Sequence, residues 1–178
     1  HSSLKCYDPS ALTEALSLNT SVQQDAQEFN KLLLSFLEDQ LKLSPEPSLR
    51  RLVEGTFQGQ FSYHTQCRAC NRPSDSSKNR IPFYELEVNV RPTLLAALDE
   101  YVAAEELCGG NQYDCTHCAG KRDATRQIAL VSLPPVLCVQ LLRFVYDPAK
   151  GNKKKVSDPI EFPEVLGLER LIFSADGG

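Results

Sequence analysis

An α+β fold is predicted, with helices in the first third of the chain and strands carrying most of the remainder. Three observations predict it. Val22, Ala26, Phe29, Leu33, Phe36, Leu37 and Leu41 recur at helical spacing and mark one buried helical face. Pro82–Val90 alternates between two faces, and Val136–Phe144 is almost uniformly apolar, so both read as strands. Cys67-Arg68-Ala69-Cys70 and Cys115-Thr116-His117-Cys118 are matched Cys-x-x-Cys knuckles with 44 residues, 71–114, between them.

A Cys-x-x-Cys turn lets two thiolates reach one ion at about 2.3 Å each, and a second knuckle completes a tetrahedron of sulfur. A lone knuckle can equally be redox-active, so the pairing carries the specificity. Ordinary buried or disulfide-bonded cysteines are the alternative. Against it, no secretory signal opens the sequence, and Arg68, Asn71, Arg72 and Asp114 make both surroundings polar. The expectation is a structural zinc ion held by Cys67, Cys70, Cys115 and Cys118. His117, inside a knuckle, is assigned no ligand role. Four protein ligands leave no position for water, so such an ion supports the fold and does no chemistry.

Composition narrows the class. The 178 residues are 42% hydrophobic and 24% charged, which suits one soluble domain with a real core. No apolar run approaches the length of a membrane span. A net charge of −4 argues against nucleic acid as the main partner. Seven cysteines imply a reducing compartment, nucleus or cytosol. Cys138 reads as core filler, and Cys108 as at most a spare ligand.

Taken in order, Asp8 at N-cap and Pro9 at the first helical position predict a short helix with Ala11, Leu12, Ala15 and Leu16. Cys6-Tyr7 precedes it. A nucleophilic cysteine needs a base and a lowered pKa, and no suitable base is nearby in sequence, so Cys6 reads as an ordinary entry residue. Ser21 with Gln24 forms a capping-box pattern opening the main helix, which runs to about Leu41. Asp25 and Glu28 then share an exposed face near its positive end, where they can hold a basic peptide. On pattern alone, acidic residues simply favour a first turn.

A short helix near Leu49–Glu54 follows Pro45 and Pro47, and Gly59–Thr65 is a strand leading to the first knuckle. Ser74–Lys78 is a polar loop. In strand Pro82–Val90, Tyr84, Leu86, Val88 and Val90 share a face. Thr93 caps a helix from Leu94 to about Leu107, with Leu94, Leu95, Leu98 and Val102 as its stripe. Gly120 and Lys121 form the tip beyond the second knuckle, and strand Ala124–Ser132 follows. Val136–Phe144 is expected to be buried on both faces at the centre of a sheet. Asp147–Lys155 is a turn carrying Lys150, Lys153, Lys154 and Lys155, which alone is a solvated basic tip. Ile160 and Phe162 give one more strand, and the sequence ends in Ser174-Ala175-Asp176-Gly177-Gly178.

Two of these stretches carry a family likeness. Gln23-Gln24-Asp25-Ala26-Gln27-Glu28-Phe29 resembles the Gln-Gln-Asp-Ala-x-Glu-Phe box of the ubiquitin-specific proteases. Leu133-Pro134-Pro135-Val136-Leu137-Cys138-Val139-Gln140-Leu141-Leu142-Arg143-Phe144 resembles their Leu-Pro-x-x-Leu-x-x-x-Leu-x-Arg-Phe segment. The likeness covers nearly the whole chain in order, and is nearest to the nuclear branch containing plant ubiquitin carboxyl-terminal hydrolase 26. It implies a partial papain-like cysteine protease fold: residues 1–54 as helical thumb, 55–132 as zinc-bearing fingers with an inserted helix, and 133–178 as palm strands. It also implies that Asp25 and Glu28 bind the basic tail of ubiquitin and that Arg143 and Phe144 line the tail channel. The implied partners are ubiquitin and ubiquitinated proteins, and the implied location is the nucleus.

The family's Gly-Asn-Thr-Cys-Tyr and Gly-His-Tyr boxes are missing from these residues. Cys6-Tyr7 echoes two letters of the first but sits too close to Asp25, and His1, His64 and His117 are not placed to act as base. No catalytic residue is assigned. The expectation is part of a thiol deubiquitinase that is inactive by itself. The alternative is a non-catalytic zinc-ribbon module that binds ubiquitin or serves as a scaffold.

Overall fold

The chain divides into a unit ending at Thr56 and a unit beginning at Phe57. The computed structural model describes residues 6–148 and 151–172. Of the sequence features above, His1, Lys150 and Ser174–Gly178 lie outside the described residues.

The first unit is helical. Helix α1 spans Ser10–Ala15 with Pro9 as N-cap. The predicted cap, Asp8, sits one residue further out, where its Oδ1 accepts from the Ser10 amide at 2.9 Å and hydroxyl at 2.6 Å. These bonds hold the Asp8 carboxyl below its usual range. The main helix, α2, spans Ala26–Lys42 and starts later than its capping-box pattern suggests. Asn19 takes the groups that the box needs: its Oδ1 accepts from Ser21 N at 3.0 Å, and its carbonyl accepts from Gln24 Nε2 at 2.9 Å. That closes a turn ahead of Asp25, which becomes the cap itself. Leu34 is buried, and Phe29, Leu33, Phe36 and Leu41 are half-buried. Val22, left ahead of the helix, is 58% exposed. Helix α3 spans Leu52–Phe57, three residues later than expected, because turns after Pro45 and Pro47 occupy the chain as far as residue 51.

The second unit is built on a four-stranded antiparallel sheet of β1 (Gly59–Cys67), β2 (Ile81–Phe83), β4 (Glu105–Leu107) and β7 (Ala124–Ser132), in the order β2-β1-β7-β4. Strand β3 (Glu85–Asn89) leaves this sheet at Tyr84, so the single predicted strand Pro82–Val90 is two strands in two sheets. Leu86, Val88 and Val90 still face inward, and Phe83 is buried as well through its place opposite Gly59 on β1. Helix α4 spans Leu94–Val102, and Thr93 Oγ1 caps it by accepting from Ala96 N at 3.1 Å. It stops short of Leu107. Glu105–Leu107 forms β4 on the edge of β7 (Ala124–Ser132), burying Leu107 opposite Ala124. Strands β5 (Tyr113–Cys115) and β6 (Gly120–Arg122) make a hairpin whose tip is the second knuckle itself, so Gly120 and Lys121 lie on a strand.

Strand β8 (Cys138–Leu142) runs parallel to β3, and all five of its residues are half-buried. Its apolar sequence predicted burial on both faces. Val139 and Leu141 do pack on the core, but among the described residues β3 is the only strand beside β8. Cys138 lies on the alternate face and is half-buried, not core filler. Beyond it, β9 (Phe144–Asp147) and β10 (Asn152–Lys155) form a hairpin where a turn was expected. Ile160–Phe162 forms no strand. Glu161 alone bridges to Thr93, because Pro159 and Pro163 on either side have no N–H to extend a ladder. The core gathers Phe83, Leu86, Val88, Ala97, Leu98, Leu130 and Leu171, drawn from both sheets, α4 and the 3-10 turn Glu169–Leu171.

Candidate functional site

The first knuckle hangs from the end of β1. Cys67 is fully buried opposite Ala124 of β7, so the longest strand pair in the unit fixes its position. The chain then turns back: Asn71 N donates to Cys67 O at 2.9 Å and Cys67 N to Arg72 O at 3.1 Å. Asn71 takes a left-handed backbone (φ 54°), a conformation that asparagine tolerates. The second knuckle repeats the turn between β5 and β6, with Ala119 (φ 50°) in the corresponding place after Cys118.

The two knuckles meet. The sulfurs of Cys67, Cys70, Cys115 and Cys118 all lie within 4.8 Å of one another. Cys67 Sγ is 4.0 Å from Cys118 Sγ, and Cys70 Sγ is 3.8 Å from Cys115 Sγ. A metal–sulfur bond of about 2.3 Å gives a tetrahedron with an edge of about 3.8 Å. Disulfides need about 2.05 Å, and all seven cysteines are free. The backbone amides of Cys70 and Ala69 donate toward Cys67 Sγ and hold its pKa down to about 7. The neighbouring Cys70 thiol, burial and the Cys115 thiol push Cys118 up to about 12. One thiolate therefore forms readily here and further negative charge is resisted, an arrangement that a cation relieves. Four sulfur donors at tetrahedral spacing can bind a metal ion.

Sequence reasoning missed the contacts that hold this cluster. Arg72 Nη1 donates to His117 Nδ1 at 3.1 Å, joining the two knuckles. Arg68 N donates to Asp123 O at 2.9 Å, Gln112 Nε2 donates to Asp123 Oδ1 at 2.7 Å, and the Arg68 guanidinium pairs with Glu106 on β4. Each pair is far apart in sequence, so no local pattern signals it.

Asp25 and Glu28, in the first unit, are both exposed. They do not stand side by side on a helical turn as predicted, because Asp25 is the N-cap of α2. Its Oδ1 accepts from Gln27 N at 2.7 Å and from Glu28 N at 3.2 Å. The carboxylate is thereby fixed at the helix entrance, with the Glu28 carboxylate in the first turn.

Arg143 and Phe144, in the second unit, join β8 to β9. Arg143 Nη1 donates to the carbonyls of Val156 at 3.2 Å and Asp158 at 3.0 Å, and Val156 N donates to Arg143 O. The side chain thus ties down the segment that follows the returning strand of the hairpin, while Phe144 is 65% exposed.

Comparison with known proteins agrees in family. Residues 1–176 match the family model described as ubiquitin carboxyl-terminal hydrolase. Ubiquitin carboxyl-terminal hydrolase 48 of Danio rerio is 46% identical over 174 residues, covering 97% of this chain and 16% of that protein. Ubiquitin carboxyl-terminal hydrolase 26 of Oryza sativa is 42% identical over 175 residues, covering 97% of this chain and 16% of the relative. The Arabidopsis thaliana protein of the same name is 41% identical over 171 residues, covering 94% and 16%. The chain therefore spans about a sixth of the length of these curated relatives. A match running from the first helix, through both knuckles and β8, to the last described turn places this chain in the ubiquitin carboxyl-terminal hydrolase family.

Proposed function

We propose that this chain is the ubiquitin-gripping part of a thiol-dependent deubiquitinase, an enzyme that cuts after the C-terminal glycine of ubiquitin. The family match along the whole chain carries this reading. Asp25 and Glu28 hold the basic tail of ubiquitin. Arg143 keeps its channel in shape through Val156 and Asp158, and Phe144 lines it. The strands around the knuckles contact the globular body of ubiquitin.

Zinc is the ion that the four thiolates would hold, since an all-sulfur tetrahedral set suits it. When bound, it would join the end of β1 to the β5–β6 hairpin and take no part in bond cleavage. Free thiols throughout fit a reducing compartment, nucleus or cytosol. Cleavage itself needs a nucleophilic cysteine and a histidine base, and none of the three histidines in this sequence stands in the family's Gly-His-Tyr box. This chain is thus expected to bind ubiquitin without turning it over.

The test uses Asp25→Asn, which keeps a capping side chain and removes the charge. Titrated with ubiquitin, the variant should fold like the parent and bind about tenfold more weakly or worse. Equal affinity would remove Asp25 from the tail site, and a parent chain that does not bind ubiquitin would sink the reading. Turnover of fluorogenic ubiquitin that disappears in Cys6→Ala would overturn the non-catalytic assignment.

A further inference from the structure

Gln24 links the turn that Asn19 closes to the cap that Asp25 supplies. Its Nε2 donates to the carbonyls of Asn19 at 2.9 Å and Val22 at 3.4 Å. Both partners are acceptors, so the nitrogen end of the amide must face them. The Val22 amide donates to the same Asn19 carbonyl at 3.4 Å, and the Ser21 amide to Asn19 Oδ1 at 3.0 Å. Directly beyond this strap Asp25 is extended (φ −78°, ψ 132°), and its Oδ1 spans the Gln27 and Glu28 amides. Oδ2 takes neither bond and has no partner among the described residues.

The sequence offers a second start for α2, four residues earlier. With Ser21 as cap, the Gln24 side chain would turn its oxygen to the Ser21 amide, as a capping box requires. Residues 22–25 would then be helical, and the Asp25 side chain would leave the Gln27 and Glu28 amides for the side of the helix. The two starts need opposite ends of one amide. In the structure the nitrogen end is in use, the Ser21 amide goes to Asn19, and the helix begins after Asp25.

We infer that Gln24 is a positioning residue for the ubiquitin-tail site, holding α2 at the start that makes Asp25 its cap and leaves Oδ2 open to a cationic side chain. Asn19 is its anchor. A carboxylate fixed by two amides before a ligand arrives loses little freedom on binding. The role in tail binding rests on the proposed function, whereas the choice of helix start does not.

Gln24→Glu isolates that choice. A carboxylate cannot donate to either carbonyl, and Glu is favoured three places after a capping Ser. The Cα chemical shifts of residues 22–25 should move from extended toward helical values, with those of the second unit unchanged. Ubiquitin affinity should fall by about tenfold, whereas an added carboxylate acting by charge alone would tighten binding of a basic tail. Gln24→Met, which loses the donor and adds no charge, should weaken binding by a smaller factor. Ser21→Ala/Gln24→Glu removes the competing cap and should restore most of the affinity. In an Asp25→Asn background, Gln24→Glu should cost nothing further. Binding by Gln24→Glu as tight as the parent's or tighter, with Asp25→Asn still weak, would overturn this inference and leave the tail site standing. Equal binding by the parent and Asp25→Asn would sink the tail site and this role with it. Unchanged shifts at 22–25 would show that Gln24 does not select the helix start, whatever ubiquitin does.

Discussion

Cysteine-to-serine exchange at position 115 keeps the size of the side chain and replaces the soft sulfur donor, so it separates metal binding from packing. Purified parent chain should carry about one equivalent of zinc, and Cys115→Ser should carry little or none under the same dialysis. Equal zinc content in the two would show that the cluster is not the binding site. Ala119 makes a second test, since an alanine held at φ 50° carries a left-handed penalty of about 1–2 kcal/mol. Glycine removes that penalty at an entropic cost of about 0.5–1 kcal/mol. Ala119→Gly should therefore gain up to about 1.5 kcal/mol, read as a higher urea midpoint with an unchanged slope. The four cysteines were legible because their spacing is local. The left-handed turn at Asn71 was half-legible, because asparagine favours it, and that at Ala119 was not, because alanine carries no such preference. Asp25 was misread as a helical surface residue because Ser21 is an equally good cap on paper. The Asn19 side chain and carbonyl decided between them.

At the level of elements, the end of α2, the start of α4 and the inward face of β3 were readable, while the starts of α2 and α3 and the stop of α4 were set by contacts outside the local pattern. Thr93 caps α4 as expected. Ala103-Ala104-Glu105-Glu106-Leu107 has good helix formers and no breaker, yet its last three residues pair with β7. The open edge of β7 and the burial of Leu107 outweigh local propensity. The break at Tyr84 has a similar origin, because β2 and β3 answer to different partners, β1 and β8. Gly59 shows how tightly β2 is seated on β1. A Cβ at this position would lie 2.3 Å from Phe83 Cζ, and Phe83 is a buried member of the core. Gly59→Ala should therefore cost about 1–3 kcal/mol by overpacking. Combining it with Phe83→Leu should cost less than the sum of the single changes, since the smaller side chain frees the space. Strict additivity in urea unfolding would mean that the two positions do not compete for the same volume.

Over the whole molecule, the α+β class was legible from the helical stripe, the alternating strands and the knuckles, but burial was not. β8 reads as a fully buried strand because burial depends on what lies beside it, and among the described residues only β3 does. The same distinction between what packing holds and what an ion holds yields the last prediction. The core around Leu86, Leu98 and Leu130 is apolar and lies in β3, α4 and β7, none of which supplies a metal ligand. The β5–β6 hairpin has three-residue strands, too short to be stable alone, and is fastened by its two cysteines and a few polar contacts. Structural zinc binding is worth about 10–16 kcal/mol in zinc-finger peptides, so removing an ion held by these thiolates should be felt most strongly where no core compensates. Chelation should therefore raise amide hydrogen exchange in residues 64–73 and 113–124 first, with α4 and the middle of β7 still protected. Uniform loss of protection would mean that the ion holds the entire second unit and that the apolar core cannot stand without it. Unchanged exchange and an unchanged thermal midpoint would mean that the four thiols hold no ion, leaving their tetrahedral spacing to packing alone.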